Sequence, residues 1–375
     1  MIMTLANCSV TTASETRNKM NATPSSIEHL SVAMTTETLG DVTAAMTSPP
    51  SRGIAFYFQC AVVVIGVVGM AANALILYAL VASEEHKKHM LIFNQNLLDC
   101  FTCLLLISSY SLKLRNIYLT GLGGYWLCML FTSENLLWCS IDAAKTNLMI
   151  ITIERYLKVV YPTWSKKKVG KWVLYSAMAF AWISGFANMF SVTLATSDVI
   201  DGVCYAYAFW LSPTAHKVYV IWSAVSYYVV LLLIFIFCYW RILVVIRRQA
   251  SVMAGHGASA TTQVQSQQIQ TNVIKTMVPV CAVYAIADFP LQAFGLLHGF
   301  AANIARPEAG YYATLFLSFF YICANPFIYA VKFDPVKRVL LRLIPVCQTS
   351  VQSAESAEMN VARATTSQCS GQSGK

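Results

Sequence analysis

Glu154-Arg155-Tyr156 closes an apolar segment running from about Leu127 to Ile153, so a charged pair stands where a membrane helix would leave the hydrocarbon. A half-buried Arg is costly without a counter-charge, and Glu154 beside it supplies one that can be exchanged when the protein changes state. The pair reads as a switch held by a local Glu154–Arg155 clasp. Asp99, Glu134, Asp142, Lys145 and Asp288 also fall inside apolar segments, as does Asn73. Such groups are expensive in lipid and face a bundle interior by default, which makes each a functional candidate. Asn325-Pro326-Phe327-Ile328-Tyr329 adds a different chemistry. Pro326 removes a backbone donor one turn before a helix end, and Tyr329 follows within a turn, giving a hinge with a polar handle. Taken alone, the segment reads equally well as a tolerated proline kink.

The elements that position these groups follow from composition. The chain is 57% hydrophobic and 11% charged, where a soluble domain carries roughly 25% charge. Apolar stretches of about 20 residues or more, long enough to cross a bilayer as helix, occur near 54–82, 91–113, 125–157, 172–196, 217–246, 273–299 and 310–331. The fold expected is an all-α, seven-transmembrane-helix bundle. Basic residues of the short loops gather on one side: Lys87 and Lys88, Lys158 to Lys171, Arg247, Arg248 and Lys275, then Lys332 to Arg342. The opposite loops hold only Lys113, Arg115, Lys217 and Arg306. By the positive-inside rule the amino terminus lies outside, and the net charge of +9 suits anionic inner-leaflet lipid rather than nucleic acid. Residues 1–53 form a Ser/Thr-rich outer tail with sequons at Asn7 and Asn21, and 54–332 form the membrane domain. The first span directs insertion, no cleavable leader pattern being apparent. Residues 348–375 are small and polar, with the composition of a disordered tail. Most of the twelve cysteines sit in apolar spans as small hydrophobes. Cys128 and Cys204 instead fall on the outer, oxidising side, where a bridge would tie the loop between spans four and five over the bundle.

Taken together, these residues resemble the rhodopsin-like class of G-protein-coupled receptors over about 54–347. The resemblance rests on order: Asn73, Asp99, Cys128, Glu154-Arg155-Tyr156, Trp182, Cys204, Tyr239, Pro290 and Asn325-Pro326-Phe327-Ile328-Tyr329 arrive in the family's sequence. It implies a plasma-membrane receptor that binds an extracellular ligand and activates a heterotrimeric G protein, with arrestin and a receptor kinase as further partners. It also implies that Arg155 is released on activation, helped by Tyr239 and Tyr329. Residues 333–347, with apolar positions at helical spacing and a basic face, suit a short amphipathic helix on the membrane. Cys347 after it resembles the family's palmitoylation site.

Several positions depart from the family. Ala287-Asp288-Phe289-Pro290 places an acid where a Trp is usual. Asp288 is expected either to face the ligand cavity as a charge partner or to be buried, protonated and hydrogen-bonded. Two extra residues separate Cys128 from Arg155, so the position at which amine receptors carry an acid falls on Asn135 by one count and Leu137 by the other. Neither is acidic, although Glu134 is adjacent, and Glu134, Asn135 and Asp288 are the candidate pocket residues. Asp99 resembles the family's sodium-binding carboxylate, but Ala144 replaces the usual hydroxyl and Lys145 follows it. Lys145 is expected to pair with Asp142 or to reach Asp99 in place of sodium. Span five lacks its usual proline, which puts its bulge in doubt. The third inner loop has no acid between Arg248 and Lys275 and carries Gln270 where some relatives have one. Appreciable basal signalling is therefore expected. No Lys lies between Gly310 and Ala330, and Phe319 stands where an opsin holds retinal, so no cofactor is expected.

A transporter or channel is the main alternative, since intramembrane Asp, Lys and Asn also line translocation paths, but no corresponding pair of interrupted spans marks two halves. A non-coupling decoy receptor is the other. Enzyme motifs such as Gly-x-Ser-x-Gly and His-Glu-x-x-His are missing. His86-Lys87-Lys88-His89 has metal-like spacing but reads as a solvated basic loop.

Overall fold

The chain is described here by a computed structural model covering residues 53–255, 261–300 and 307–343, without the side chains of 249–276, 334, 335 and 343. Asn7, Asn21 and Cys347, both tails and most of the acid-free loop with Gln270 lie outside the described residues or side chains. Among the described residues seven helices are long and apolar enough to cross a membrane: Ile54–Ala82, Met90–Leu114, Gly121–Val160, Lys171–Thr196, Pro213–Arg248, Met277–Phe300 and Glu308–Lys332. These are spans one to seven. In lipid every backbone group must be bonded within its own segment, and a helix does this whatever its neighbours. Span five begins four residues earlier than its apolar stretch because Ser212 Oγ accepts from Ala215 N at 3.1 Å, with Pro213 at the first helical position.

The bundle is apolar outside and polar within. Trp172, Phe180, Ile183, Leu233 and Ile236 face outward, whereas Asn73, Asn96, Asp99, Asn135, Asn147 and Asp288 are buried. Span three is the axis: 78% of its most apolar window is buried, against 22% for span four. Polar groups at every depth of span three are thus interior groups. Gly185 lets span four reach it, since a Cβ there would sit 2.3 Å from the Cys139 carbonyl oxygen.

Two irregularities decide how side chains are aimed. Span three passes through a π-helical turn, Cys128–Thr132, in which Ser133 N donates to Cys128 O at 3.0 Å; Glu134 then takes a left-handed φ of 62° before the helix restarts at Asn135. A π turn absorbs an extra residue. With the left-handed break at Glu134 it takes up the two-residue excess between Cys128 and Asn135, leaving the helix regular down to Arg155. Span five carries a second π turn, Val225–Val229. Its bulge therefore forms without proline, correcting the expectation from sequence. Tyr228 Oη donates to Ala285 O at 3.0 Å and Tyr284 Oη donates to Tyr227 O, so bonds to span six take over the role of the missing ring.

Over the end bearing Cys128, a hairpin pairs β1 (Asp198–Ile200) antiparallel with β2 (Val203–Tyr205) through an Asp201-Gly202 turn with φ of 50° and 76°. Both values are left-handed, as a two-residue hairpin requires. The Cys128–Cys204 disulfide fastens the hairpin to span three. At the other end span seven gives way to a helix, Asp334–Leu343, with Val336 buried and Lys337 and Arg338 exposed.

Candidate functional site

Polar groups are stacked along span three in three layers. At the disulfide end a cavity of about 350 Å³ opens beneath the hairpin, lined in part by Phe58, Tyr110, Lys113, Glu134, Tyr311 and Tyr312. Glu134 leaves the helix at its left-handed break and reaches this cavity. It forms an ion pair with Lys113 and accepts from Trp138 Nε1 at 3.2 Å. Neither Asn135 nor Asp288 lines the cavity. Asn135 is fully buried, and its Oδ1 accepts from Cys139 Sγ at 3.5 Å. The pocket set expected from sequence is therefore divided: Glu134 is placed at the cavity, while Asn135 and Asp288 lie inside the bundle.

The middle layer corrects the expectation for Lys145. Its Nζ lies 3.1 Å from Asp288 Oδ2, joining spans three and six, and makes no ion pair with Asp142 or Asp99. Asp288 also accepts from Gln292 Nε2 at 2.9 Å and from Ser318 Oγ at 2.7 Å. The acid in place of the usual Trp thus does not line the outer cavity; it is buried and hydrogen-bonded, as the second expectation had it, with Lys145 as its ion-pair partner. It is the hub of a charged knot that ties spans three, six and seven. Asp142 takes its bond from Asn188 Nδ2 at 3.2 Å on span four. Near the knot a void of about 20 Å³, walled by Trp138, Asp142, Lys145, Tyr219 and Gln292 among others, has room for about one water.

Below it, Asp99 accepts from Gln95 Nε2 at 3.0 Å and Asn325 Nδ2 at 2.9 Å. Asn147 links Gln95 and Asn94, and Trp182 Nε1 donates to Asn94 Oδ1 at 3.3 Å. Asn73 bonds the Gly69 carbonyl in its own span instead. The expected network of Asn73, Asp99, Asp142 and Lys145 is therefore separated into these local groups.

At the far end Arg155 is held on two sides. Its Nε lies 3.0 Å from Glu154 Oε2, yet neither atom meets hydrogen-bond geometry, as expected for consecutive helical residues that do not face each other. Lys158 also pairs with Glu154. The second hold comes from His89, whose Nδ1 accepts from Arg155 Nη2 at 3.2 Å. Arg only donates, so the neutral tautomer carries its proton on Nε2, which lies 3.5 Å from Glu85 Oε2. Burial first, then the charges of Arg155, Lys158 and Lys88, lower His89 to about 3. Its ring also meets Phe333 edge-on at 5.4 Å, after span seven. His89, read from sequence as part of a solvated loop, is thus packed between three elements. Tyr239 Oη pairs with Thr152 Oγ1 at 3.3 Å, while Tyr329 is buried with no hydrogen bond to its hydroxyl. Neither tyrosine bonds Arg155. Tyr156 packs its ring on Tyr161 and Phe237, and Pro326 lies buried within span seven.

The profile of the family described as 7 transmembrane receptor (rhodopsin family) matches residues 72–329. The chain belongs to that family. Among characterised receptors it is 24% identical to human somatostatin receptor type 3 over 354 residues, covering 89% of this chain and 77% of that one. It is 23% identical to mouse melatonin receptor type 1B over 208 residues, 55% of each chain. The receptor is thus a multi-pass membrane protein with a disulfide between Cys128 and Cys204. Its ordered motifs were visible in sequence. Lys113, Trp138, Ser318, Gln292 and His89 were not, because each acquires meaning only through a partner on another element.

Proposed function

We propose that this G-protein-coupled receptor sits in the plasma membrane with its amino terminus outside, binds an extracellular ligand in the cavity under the hairpin, and admits a heterotrimeric G protein at Arg155. The observation that carries the reading is the state of Arg155: it is restrained by one poorly aimed carboxylate on its own helix, which a side-chain rotation gives up, and by one neutral imidazole at the start of span two, which an outward swing of the span ends would release. Tyr239 and Tyr329 are then available as partners for the freed guanidinium. The mid-bundle knot lies between the two ends, and Trp138 joins it to the outer layer: its indole bonds Glu134 and its ring meets Phe319, the neighbour of Ser318, at a tilt. Arrestin and a receptor kinase act at the same end. Glycosylation at Asn7 and Asn21 and palmitoylation at Cys347 complete the proposal; retinal and other cofactors have no part in it. The relatives are named for different ligands, somatostatin and melatonin, and at this identity neither transfers.

The test is a panel of G-protein reporters in cells with matched surface expression, with Arg155→Ala as negative control. Basal second-messenger output above mock-transfected cells, abolished by R155A, supports coupling. A surface-expressed receptor silent in every reporter supports the decoy reading instead.

A further inference from the structure

We propose that Lys113 is a tethered stand-in for the ligand, and that the ligand carries an amine or guanidinium on an aromatic or apolar frame and replaces Lys113 on Glu134. The inference rests on the reading of the outer cavity as the ligand site and adds the ligand's chemistry.

The two partners of this pair differ in their freedom. The Glu134 side chain is 6% exposed, fixed by a left-handed backbone and bonded to Trp138, so it stays where it is and needs a cation at all times. The Lys113 side chain is 27% exposed, in the last turn of span two, and can swing to water on a flexible stem. Its further contact is the Tyr110 ring, 4.9 Å from Nζ. Releasing Lys113 is therefore easy and leaving Glu134 unpaired is hard. An incoming cation keeps the buried carboxylate neutralised. An incoming anion would have to draw Lys113 away and strand it.

The walls fit the same chemistry. Phe58, Tyr110, Tyr311 and Tyr312 line the cavity, and aromatic faces attract cations. The buried Tyr110 hydroxyl lies beside the Glu134 carboxylate, a further polar group at the site. Lys113 is the only Lys, Arg or His among the lining residues described, so once it leaves none of them carries a positive charge for an anion. A volume of about 350 Å³ suits a small molecule or the tip of a peptide.

The experiment uses the full-length receptor in lipid nanodiscs and reads melting temperature and tracer competition. The probes share one frame: 3-phenylpropylamine, 3-phenylpropanol and 3-phenylpropanoate. Acetyl-Phe-Lys-amide and acetyl-Phe-norleucine-amide form a peptide pair that separates a small amine from a basic side chain. The amine, the Lys peptide or both should stabilise the receptor more than their uncharged and anionic counterparts. K113M should raise cation affinity at least about fivefold, because it removes the competitor and leaves the buried Glu134 carboxylate without a cation. E134Q should lower it at least about thirtyfold. If E134Q does not fold, the K113M/E134Q pair, which strands no charge, serves in its place. Stabilisation by the propanoate equal to that by the amine overturns the proposal, as does cation binding unaffected by loss of Glu134, or no stabilisation by any cation. A receptor that signals yet prefers the propanoate loses this inference alone; one that binds the amine through Glu134 but never couples loses the signalling reading alone.

Discussion

Lys113–Glu134 and Lys145–Asp288 are both lysine–carboxylate pairs that join span three to a neighbour, and their surroundings give them opposite properties. In the outer pair the lysine is 27% exposed and borders a cavity. In the inner pair the lysine is 2% exposed and the carboxylate fully buried, with two further donors on Asp288. Charge type is the same; access to water differs. A pair at a cavity can exchange a partner, because the released ion finds solvent. A pair in the closed interior has nowhere to send either ion, so it acts as a tie between helices until they move together.

That contrast is broken most sharply by single substitutions of the inner pair. Lys145→Met or Asp288→Ala strands a buried charge and should cost about 3–5 kcal/mol, seen as loss of surface expression and a lowered melting temperature. The K145M/D288L pair should recover most of that stability. If K145M is as mild as K113M, the two pairs are not different in kind. K113M leaves Glu134 without its cation but beside a cavity that water can enter, so it should cost less than K145M, about 1–3 kcal/mol, and an added amine should restore the loss.

His89 gives the next effect. H89A removes one of two restraints on Arg155 and should shift the closed–open equilibrium at least about tenfold toward the open state, read as raised basal signalling, since a hydrogen bond to a charged group contributes about 1.5–3 kcal/mol. The pH dependence has a definite sign. His89 is lowered to about 3 in this state, against about 6.5 when exposed, so the closed arrangement binds fewer protons. Its advantage is complete above about pH 6.5 and is lost as pH falls through the interval down to about 3. At pH 5.5 the open state should gain at most about tenfold. A fluorophore on the inner end of span six, in purified receptor, would report this, and H89A should flatten the response. The smallest effect expected is that of Y228F, which removes the bond to Ala285 O and should cost about 0.5–1.5 kcal/mol by thermal unfolding.

Much of the architecture was legible. Hydropathy located all seven helices, and the ordered motifs pointed to the family, because both signals are local in sequence. The site was legible in part. Glu134 was read as a pocket residue beside Asn135, but only the π turn and left-handed break separate the two, sending one to the cavity and burying its neighbour. The missing span-five proline misled for a similar reason. A bulge needs its freed backbone accommodated, and tyrosine bonds to span six do that from 57 residues away.

By itself the sequence determined that this chain crosses a membrane seven times, that charges stand within its spans, and that Arg155 has an acid next to it, since length, hydrophobicity and adjacency need no folding to be read. Only the tertiary structure decided that Lys145 answers Asp288 rather than Asp142, that His89 holds Arg155, and that Lys113 occupies Glu134. The physical reason is that a buried charge takes whichever partner the helix packing brings within reach, and in these pairs that partner lies 21 to 143 residues away.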